Sequence, residues 1–226
     1  MSCPAGLEYL AKVDQILVKQ KIEILEVLTT LEVTTRYQCL NTVGQGVYNC
    51  IEETTQFDRC CFGPRRPFTI HFLNNSSKEV ITATRKRKRA WFPLFCSCSG
   101  CCLDELSVEA PAGMPVGSVR QMYSGCKSQY SVLDESNREI LRIHGPDNST
   151  CVFADEDTDF KIMSTDGTSE IGRISQQWTY LLQEYFTDGA NIGIFFPVDL
   201  DVKIKAVLLG AVFLIVSSAD LFVSYS

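Results

Sequence analysis

Four cysteines and five consecutive cations lie close together in the middle of the chain, a combination suited to attachment at a membrane. Residues 85–89 read RKRKR, and each such cation contributes about 1 kcal/mol of attraction near an anionic leaflet. Trp91 follows, and its side chain favours the lipid–water interface. The cysteines are candidates for acylation, which anchors a protein durably when it is combined with a basic patch. The candidate residues are Arg85, Lys86, Arg87, Lys88, Arg89 and Trp91 for anionic-lipid binding and Cys96, Cys98, Cys101 and Cys102 for lipidation.

Two other interpretations of this segment stay open. The cysteines could hold a metal ion, although their C-x-C-x2-C-C spacing is compressed for a zinc knuckle and no histidine lies nearby. The basic run could be a nuclear-localisation signal or a solvated charged stretch. The acylated membrane patch is the interpretation we favour.

A second candidate site is acidic and occupies residues 188–199. In this twelve-residue window Asp188 holds the first position, Gly193 the sixth and Asp199 the twelfth, as in the calcium loop of an EF-hand. The third position is Ala190, so carboxylates are few, and we expect a dissociation constant for calcium of about 10⁻⁴–10⁻³ M. The competing interpretation is that the aspartates cap the start of a strand.

Signals of covalent catalysis are sparse. The chain has two histidines: His71 lies in an alternating strand pattern, and His144 precedes a Gly-Pro turn. No residue is marked as a nucleophile by a neighbouring base, and we assign no catalytic residues.

Composition limits the classes of function. The chain has 226 residues and a formal net charge of −6, which argues against nucleic-acid binding by the surface as a whole. The first residues lack the basic and apolar regions of a signal peptide. Eleven cysteines, an odd and clustered set, argue against a disulfide framework. We therefore expect a reducing, cytosol-facing location.

Turn residues at short intervals predict a mainly β fold of about eleven or twelve strands, as a sandwich or barrel. Four hairpins are expected, pairing 36–40 with 46–52, 68–72 with 80–84, 129–133 with 139–143 and 159–163 with 169–174. Further strands are predicted at 18–24, 103–109 and 116–123. A short helix within 7–17, a loop at 60–64 and a helix at 176–186 complete the pattern.

The last forty residues hold an apolar segment with two potential environments. Residues 206–219 carry no charge, which gives a helix of about 21 Å against a bilayer core of about 30 Å. The segment spans a membrane only if Lys205 snorkels to the headgroups and residues 221–223 are drawn in, and the N-terminus is then cytosolic. Alternatively it fills the inside of a barrel, which suits a helix that is apolar all round, and its length favours this. The helix is predicted over 204–223, with Ala206, Leu209, Val212 and Leu214 as its apolar residues.

Six stretches from one end of the chain to the other match one known family in the same order. They read CPAGLEYLAKVDQIL at 3–17, EILEVLT at 23–29, RPFTI at 66–70, EVIT at 79–82, CCLDEL at 101–106 and FTDGANIGIFFPVDLDVKIKAVLLGAVFLI at 186–215. On these residues the sequence resembles the phospholipid scramblase family.

The resemblance implies one tubby-like domain over 1–226, a twelve-stranded antiparallel barrel around a central apolar C-terminal helix. The implied activity is calcium-activated, ATP-independent, bidirectional movement of phospholipids between leaflets. Membrane phospholipids are the implied partners, together with further copies of the chain, and the implied location is the cytosolic face of the plasma membrane. The implied palmitoylation sites are Cys98, Cys101 and Cys102, with Cys96 alongside. The implied calcium residues are Asp188, Asn191, Gly193 and Asp199.

Three departures from the family pattern weaken parts of this expectation. Ala190 stands where the family's calcium loop carries aspartate. The segment 172–175 reads GRIS where the family's nuclear signal reads GKIS, and the basic run 85–89 is a candidate replacement for that signal. No proline-rich stretch offers a ligand to SH3 or WW domains. The rival hypothesis is therefore a palmitoylated, membrane-tethered interaction or signalling module that moves no lipid itself and has the nucleus as a second location.

Overall fold

Short strands, each antiparallel to its neighbours in the chain, form a closed barrel. The computed structural model describes residues 4–21, 35–86, 103–124, 128–146, 159–175 and 191–219. Within these ranges twelve strands pair in sequence order, and β1 closes the barrel by pairing with β12. The strands are β1 Gln15–Lys21, β2 Arg36–Leu40, β3 Gly46–Glu53, β4 Phe68–Leu73, β5 Glu79–Arg85, β6 Glu105–Glu109, β7 Pro115–Met122, β8 Gln129–Asp134, β9 Glu139–His144, β10 Phe160–Ser164, β11 Glu170–Ser175 and β12 Asn191–Phe195. The α-helices are α1 Gln56–Phe62 and α2 Val202–Ala219, and 3-10 turns lie at Leu10–Lys12 and Gly63–Arg65.

The hairpin turns are built by side chains that the sequence supplies at the right positions. Between β4 and β5 the Asn74 side-chain oxygen accepts hydrogen bonds from the backbone N–H groups of Ser76 and Lys78, both at 3.0 Å. Asp134 does the same between β8 and β9, where Asn137 adopts a φ of 60°. Such local bonds favour turns over continued strand. The four predicted hairpins and the mainly β class are confirmed.

Alternation along each strand directs one set of side chains into the barrel. In β4 the buried residues are Phe68, Ile70 and Phe72, while Thr69 and His71 between them are partly exposed. Successive side chains of a strand point to opposite faces. The inward faces of twelve strands therefore enclose an apolar interior that must be filled.

Helix α2 fills that interior. Residues 206–216 are buried on every side of the helix. The Phe213 ring packs edge-on against the rings of Tyr37 and Phe72, with distances between ring centres of 5.1 and 5.4 Å. Strand β7 approaches the helix closely at Gly117, where an added Cβ atom would lie 2.8 Å from the Val207 side chain. The family resemblance implied this arrangement of barrel and central helix, and the structure confirms it.

Three local predictions differ from the structure or lie outside it. The strand expected at 18–24 begins earlier, at Gln15, because Ile16 is buried and the strand pairs with β12 from that point. The expected loop at 60–64 lies largely in α1, which begins where the Thr55 side chain accepts a hydrogen bond from the backbone of Asp58. The helix expected at 176–186 lies outside the described residues.

Candidate functional site

A buried ammonium group lies at the start of α2. The Lys205 side chain is fully buried. It donates three hydrogen bonds to backbone carbonyl oxygens, those of Leu10 at 3.0 Å, Val13 at 2.9 Å and Val198 at 2.8 Å. A lysine ammonium has three N–H donors, so its hydrogen-bonding capacity is fully used. Lys205 thereby joins the N-terminal segment and the link after β12 to the central helix.

The surroundings of Lys205 offset the cost of burying its charge. The ammonium nitrogen lies 5.1 Å from the centre of the Phe196 ring, a distance at which ring and cation attract. Burial lowers the pKa of Lys205, and the negative charges of Asp14 and Asp199 oppose that shift. The snorkelling that a membrane-spanning α2 would require of Lys205 is not found, because the ammonium group lies inside the protein.

A second buried cation lies beside the C-terminal end of α2. The Arg85 guanidinium pairs with the Asp104 carboxylate at 2.8 Å and donates a hydrogen bond to the Ser217 hydroxyl at 3.1 Å. Arg85 is only 2% exposed, because the alternation of β5 directs its side chain into the barrel. The prediction that Arg85 belongs to an exposed anionic-lipid patch is therefore wrong, whereas Lys86 is exposed.

Near the same end of α2, a buried carboxylate gathers two arginines and a tyrosine. Arg66 donates to one oxygen of Glu52 from two guanidinium nitrogens, at 3.0 and 2.9 Å. The Tyr37 hydroxyl donates to the other oxygen at 3.1 Å. Arg59 lies 3.6 Å from Glu52 and donates to the Thr35 hydroxyl at 3.0 Å. Burial, reinforced by the charge of Glu52, raises the pKa of Tyr37, so this hydroxyl keeps its proton as a donor.

These groups line a half-open cavity of about 190 Å³. The polar residues of its lining are Gln20, Thr35, Tyr37, Glu52, Arg59, Arg66 and Ser217. The apolar residues, called the apolar wall below, are Phe68, Ile70, Phe213 and Val216. The cavity joins charge and apolar surface beside the last turns of α2.

The predicted calcium residues lie along a strand and the turn after it. Asn191 and Gly193 belong to β12, where they pair with Lys19 and Leu17 of β1. The four steps of this strand span about 13 Å, whereas the ligands of an EF-hand loop converge within about 2.6 Å of one ion. Asp199 follows in the turn before α2. The described residues therefore do not fit an EF-hand loop, and Asp188 lies outside them.

The described residues contain no metal-binding cluster, and they include only two residues of the predicted membrane patch, Arg85 and Lys86. In the ranges that the structure describes, no group of three or more His, Cys, Asp or Glu side chains could hold a metal ion. The remaining patch residues lie outside those ranges, and their roles stay predictions: Arg87, Lys88, Arg89, Trp91, Cys96, Cys98, Cys101 and Cys102.

The predicted apolar residues of the helix lie inside the barrel. Ala206, Leu209, Val212 and Leu214 are all fully buried. Within the described ranges, no helix combines the length and the apolar character that a bilayer crossing needs.

The cavity residues were missed because they come from separate parts of the chain. One signal was available in β3, where the inward-facing alternation of Tyr48 and Cys50 continues to Glu52. A carboxylate on the inward face of a strand needs a cationic partner. The sequence does not say which cation fills that role.

Comparison with known proteins places the chain among close relatives. Residues 1–219 match the family model described as Scramblase. The chain is 46% identical to human phospholipid scramblase 1 over 95% of its own length and 65% of that protein. It is 45% identical to bovine phospholipid scramblase 2 over 95% of its length and 71% of that protein. With human phospholipid scramblase 4 the identity is 36%, over 95% of the chain and 63% of that protein.

The chain thus spans about two thirds of the length of these curated relatives. No solved structure matches it. Since the family model covers nearly the whole sequence, the chain belongs to the Scramblase family.

Proposed function

We propose that the chain moves phospholipids between the two leaflets of a membrane, in both directions, without ATP and under calcium control. The observation that carries this proposal is the identity of 46% over 95% of the chain with a protein named phospholipid scramblase 1. The activity needs no covalent step. The protein must only lower the free-energy cost of carrying a polar headgroup through hydrocarbon.

The filled barrel limits where such a lipid route can run. Residues 206–216 occupy the interior, and the buried cations Lys205 and Arg85 bind groups at the two ends of α2. Freeing α2 would separate Lys205 from its three carbonyl acceptors and Arg85 from the Ser217 hydroxyl, while Arg85 would keep its ion pair with Asp104. The three buried carbonyl oxygens would lose their donor, at a high cost in free energy. The route we favour therefore runs outside the barrel, on a surface formed by several copies of the chain at the membrane.

Attachment to the cytosolic face of the plasma membrane is part of the proposal. The acylation candidates are the cysteines at 96, 98, 101 and 102, supported by the basic residues 86–89. Replacing all four cysteines by serine should shift the protein from the membrane to the soluble fraction of a cell lysate. An unchanged distribution would remove acylation from the proposal.

Lipid movement is tested with the purified chain in vesicles that carry a fluorescent phospholipid. Dithionite bleaches only the outer leaflet, so scrambling shows as bleaching beyond half of the signal. Calcium is varied up to about 1 mM, the range of weak oxygen-ligand sites, with ATP absent. Bleaching no greater than in empty vesicles, at several protein densities, rejects the proposed activity. Equal rates with and without calcium reject only its calcium control.

A reversible crosslink tests whether α2 must leave the barrel. A Cβ atom added at Gly210 would lie 2.9 Å from the Val108 side chain, so the pair Val108→Cys and Gly210→Cys lies within reach of a disulfide. The same protein is assayed oxidised and reduced. Equal scrambling in both forms supports a route outside the barrel, whereas activity only after reduction shows that α2 moves out.

The second candidate function is a membrane-tethered interaction or signalling module. The enclosure of α2 by the barrel favours it, because the apolar face of this helix is already buried within the protein. A chain that binds membranes through its cysteines but moves no lipid at any calcium concentration would support this function over the first.

A further inference from the structure

We propose that the cavity beside Glu52, Arg59 and Arg66 binds the phosphate of a small amphiphile, with the first carbons of its apolar part against the wall of Phe68 and Phe213. This site goes beyond the movement of lipids between leaflets. It rests on the geometry of the cavity alone.

The lining of the cavity has one cation in excess. Its charged residues are two arginines and one carboxylate: Arg59, Arg66 and Glu52. Asp58, which precedes Arg59 in α1, is buried, is not among the lining residues and accepts a hydrogen bond from the Thr55 hydroxyl. Arg85 is neutralised by Asp104 at 2.8 Å, and Arg66 is neutralised by Glu52 at 2.9 Å. Among the lining residues the remaining positive charge is that of Arg59, so the lining favours an anion.

Arg59 keeps donors available for that anion. Its contact with Glu52 is 3.6 Å long, beyond a good hydrogen bond, and its one described hydrogen bond goes to Thr35. A guanidinium has five N–H donors in a planar fork that matches phosphate oxygens. The side chain is 27% exposed, which leaves it open to a ligand yet partly shielded from water.

Glu52 holds the two arginines of the cavity, Arg59 and Arg66, in position. Its side chain is 2% exposed, and both of its oxygens are engaged, one by Arg66 and the other by the Tyr37 hydroxyl. A carboxylate so occupied offers little to a cationic ligand. It fixes Arg66 and keeps Arg59 close, and donors fixed in advance bind an anion without paying for their own ordering.

The size of the cavity defines how much of a ligand enters. A volume of about 190 Å³ holds about six water molecules at their liquid volume, and pockets for complete drug-sized ligands are about 300–1,000 Å³. A phosphate with a few attached carbons fits, and a whole two-chain lipid does not. The apolar wall gives those carbons a surface that inorganic phosphate cannot use.

Binding is measured by titration calorimetry on the purified full chain. The probes are inorganic phosphate, dihexanoyl phosphatidic acid below its micelle concentration, and dihexanoylglycerol, which lacks the phosphate. We expect phosphatidic acid to bind and dihexanoylglycerol not to bind. Phosphate binding as tight as that of phosphatidic acid would identify a free phosphate compound as the ligand, whereas tighter binding of phosphatidic acid would identify a lipid headgroup.

Matched variants tie the binding to the cavity. Arg59→Gln removes the excess cation and should weaken phosphatidic acid binding about tenfold, the effect of one charge-assisted hydrogen bond. Gln20→Phe narrows the cavity without changing its charge and should weaken binding as well. Arg120→Gln removes an arginine that is 43% exposed on the outside of β7 and should leave binding unchanged.

Two results overturn the proposal. One is equal binding of phosphatidic acid by the wild type and by both cavity variants, each shown to be folded by circular dichroism. The other is equal binding of dihexanoylglycerol and phosphatidic acid. If Arg59→Gln does not fold, Arg59→Lys and Gln20→Phe decide in its place. Scrambling is measured separately in vesicles, so failure of the cavity proposal and failure of the lipid-transport proposal are distinguishable.

Discussion

The guanidinium of Arg85 lies 2.8 Å from the carboxylate of Asp104, nineteen residues later in the chain, and both side chains are buried. Strand β5 ends at Arg85, and Asp104 directly precedes β6. The ion pair therefore joins two neighbouring strands at their ends and connects to Ser217 in the last turn of α2.

Removing one partner of this ion pair should destabilise the fold severely. Arg85→Met leaves Asp104 buried without its cation, and such changes cost about 3–5 kcal/mol. The double variant Arg85→Met with Asp104→Leu should recover most of the loss, because no unpaired charge is left. Urea unfolding gives the free energies. A double variant as unstable as Arg85→Met alone would contradict this account, and Arg120→Met, at an exposed ion pair, should change stability by less than about 1 kcal/mol.

Lys205→Met should also destabilise the fold, by about 3 kcal/mol or more. The substitution keeps the length of the side chain but leaves the carbonyl oxygens of Leu10, Val13 and Val198 without their donor, and each unsatisfied buried acceptor costs about 1–3 kcal/mol. The matched control is Lys203→Met, since Lys203 forms a partly exposed pair with Glu135. Equal urea midpoints for the two variants would refute the role given to Lys205.

Substitution of Leu209 tests whether α2 is buried inside the barrel. Leu209→Ala should cost about 3–5 kcal/mol, because it opens a cavity in a packed core. Leu209→Glu should yield no folded protein, because it buries an unpaired charge. Val43→Ala, at a residue that is 77% exposed, should have almost no effect. Soluble and folded Leu209→Glu protein would show that α2 is not needed inside the barrel.

The outer surface of β4 should make stability depend on pH. Burial by itself would lower the pKa of His71, but hydrogen bonds to Glu79 at 2.8 Å and Glu53 at 3.0 Å outweigh it and raise the pKa. A raised pKa in the folded state means a contribution that is complete below the unfolded value of about 6.5 and is lost as the pH rises through the folded value.

His71→Gln should therefore be less stable than the wild type in acid and approach it above neutral pH. Unfolding free energies of both proteins between about pH 5 and pH 9 cover the transition. A difference between them that stays constant with pH would show that His71 does not titrate in this way.

Much of the fold could be predicted because its hairpins are encoded locally. Asn74 and Asp134 mark their turns by bonds to residues two and four positions later. Arg85 was misjudged because it belongs to a run of five cations, while its environment is fixed by the last inward position of β5. The charged composition of the run suggested that Arg85 is exposed to solvent, but the geometry of β5 buries its side chain.

The candidate site could not be predicted because its parts meet only in the closed barrel. Glu52 lies in β3, Arg59 in α1 and Arg66 after the turn that follows α1. Phe213 and Val216 reach the same cavity from the other end of the sequence. No short motif relates these positions, and the contacts depend on which strand closes the barrel.

The bond from Lys205 to Leu10 joins residues 195 positions apart, and this sets the order in which the molecule can be completed on the ribosome. Strand β1 cannot pair with β12 until β12 has been synthesised. Helix α2, which fills the barrel, follows β12 in the chain. A nascent chain can form hairpins early, but until α2 emerges they surround an apolar space with nothing in it. Contacts so distant in sequence form slowly, so the apolar interior stays open to water during synthesis until α2 is available to fill it.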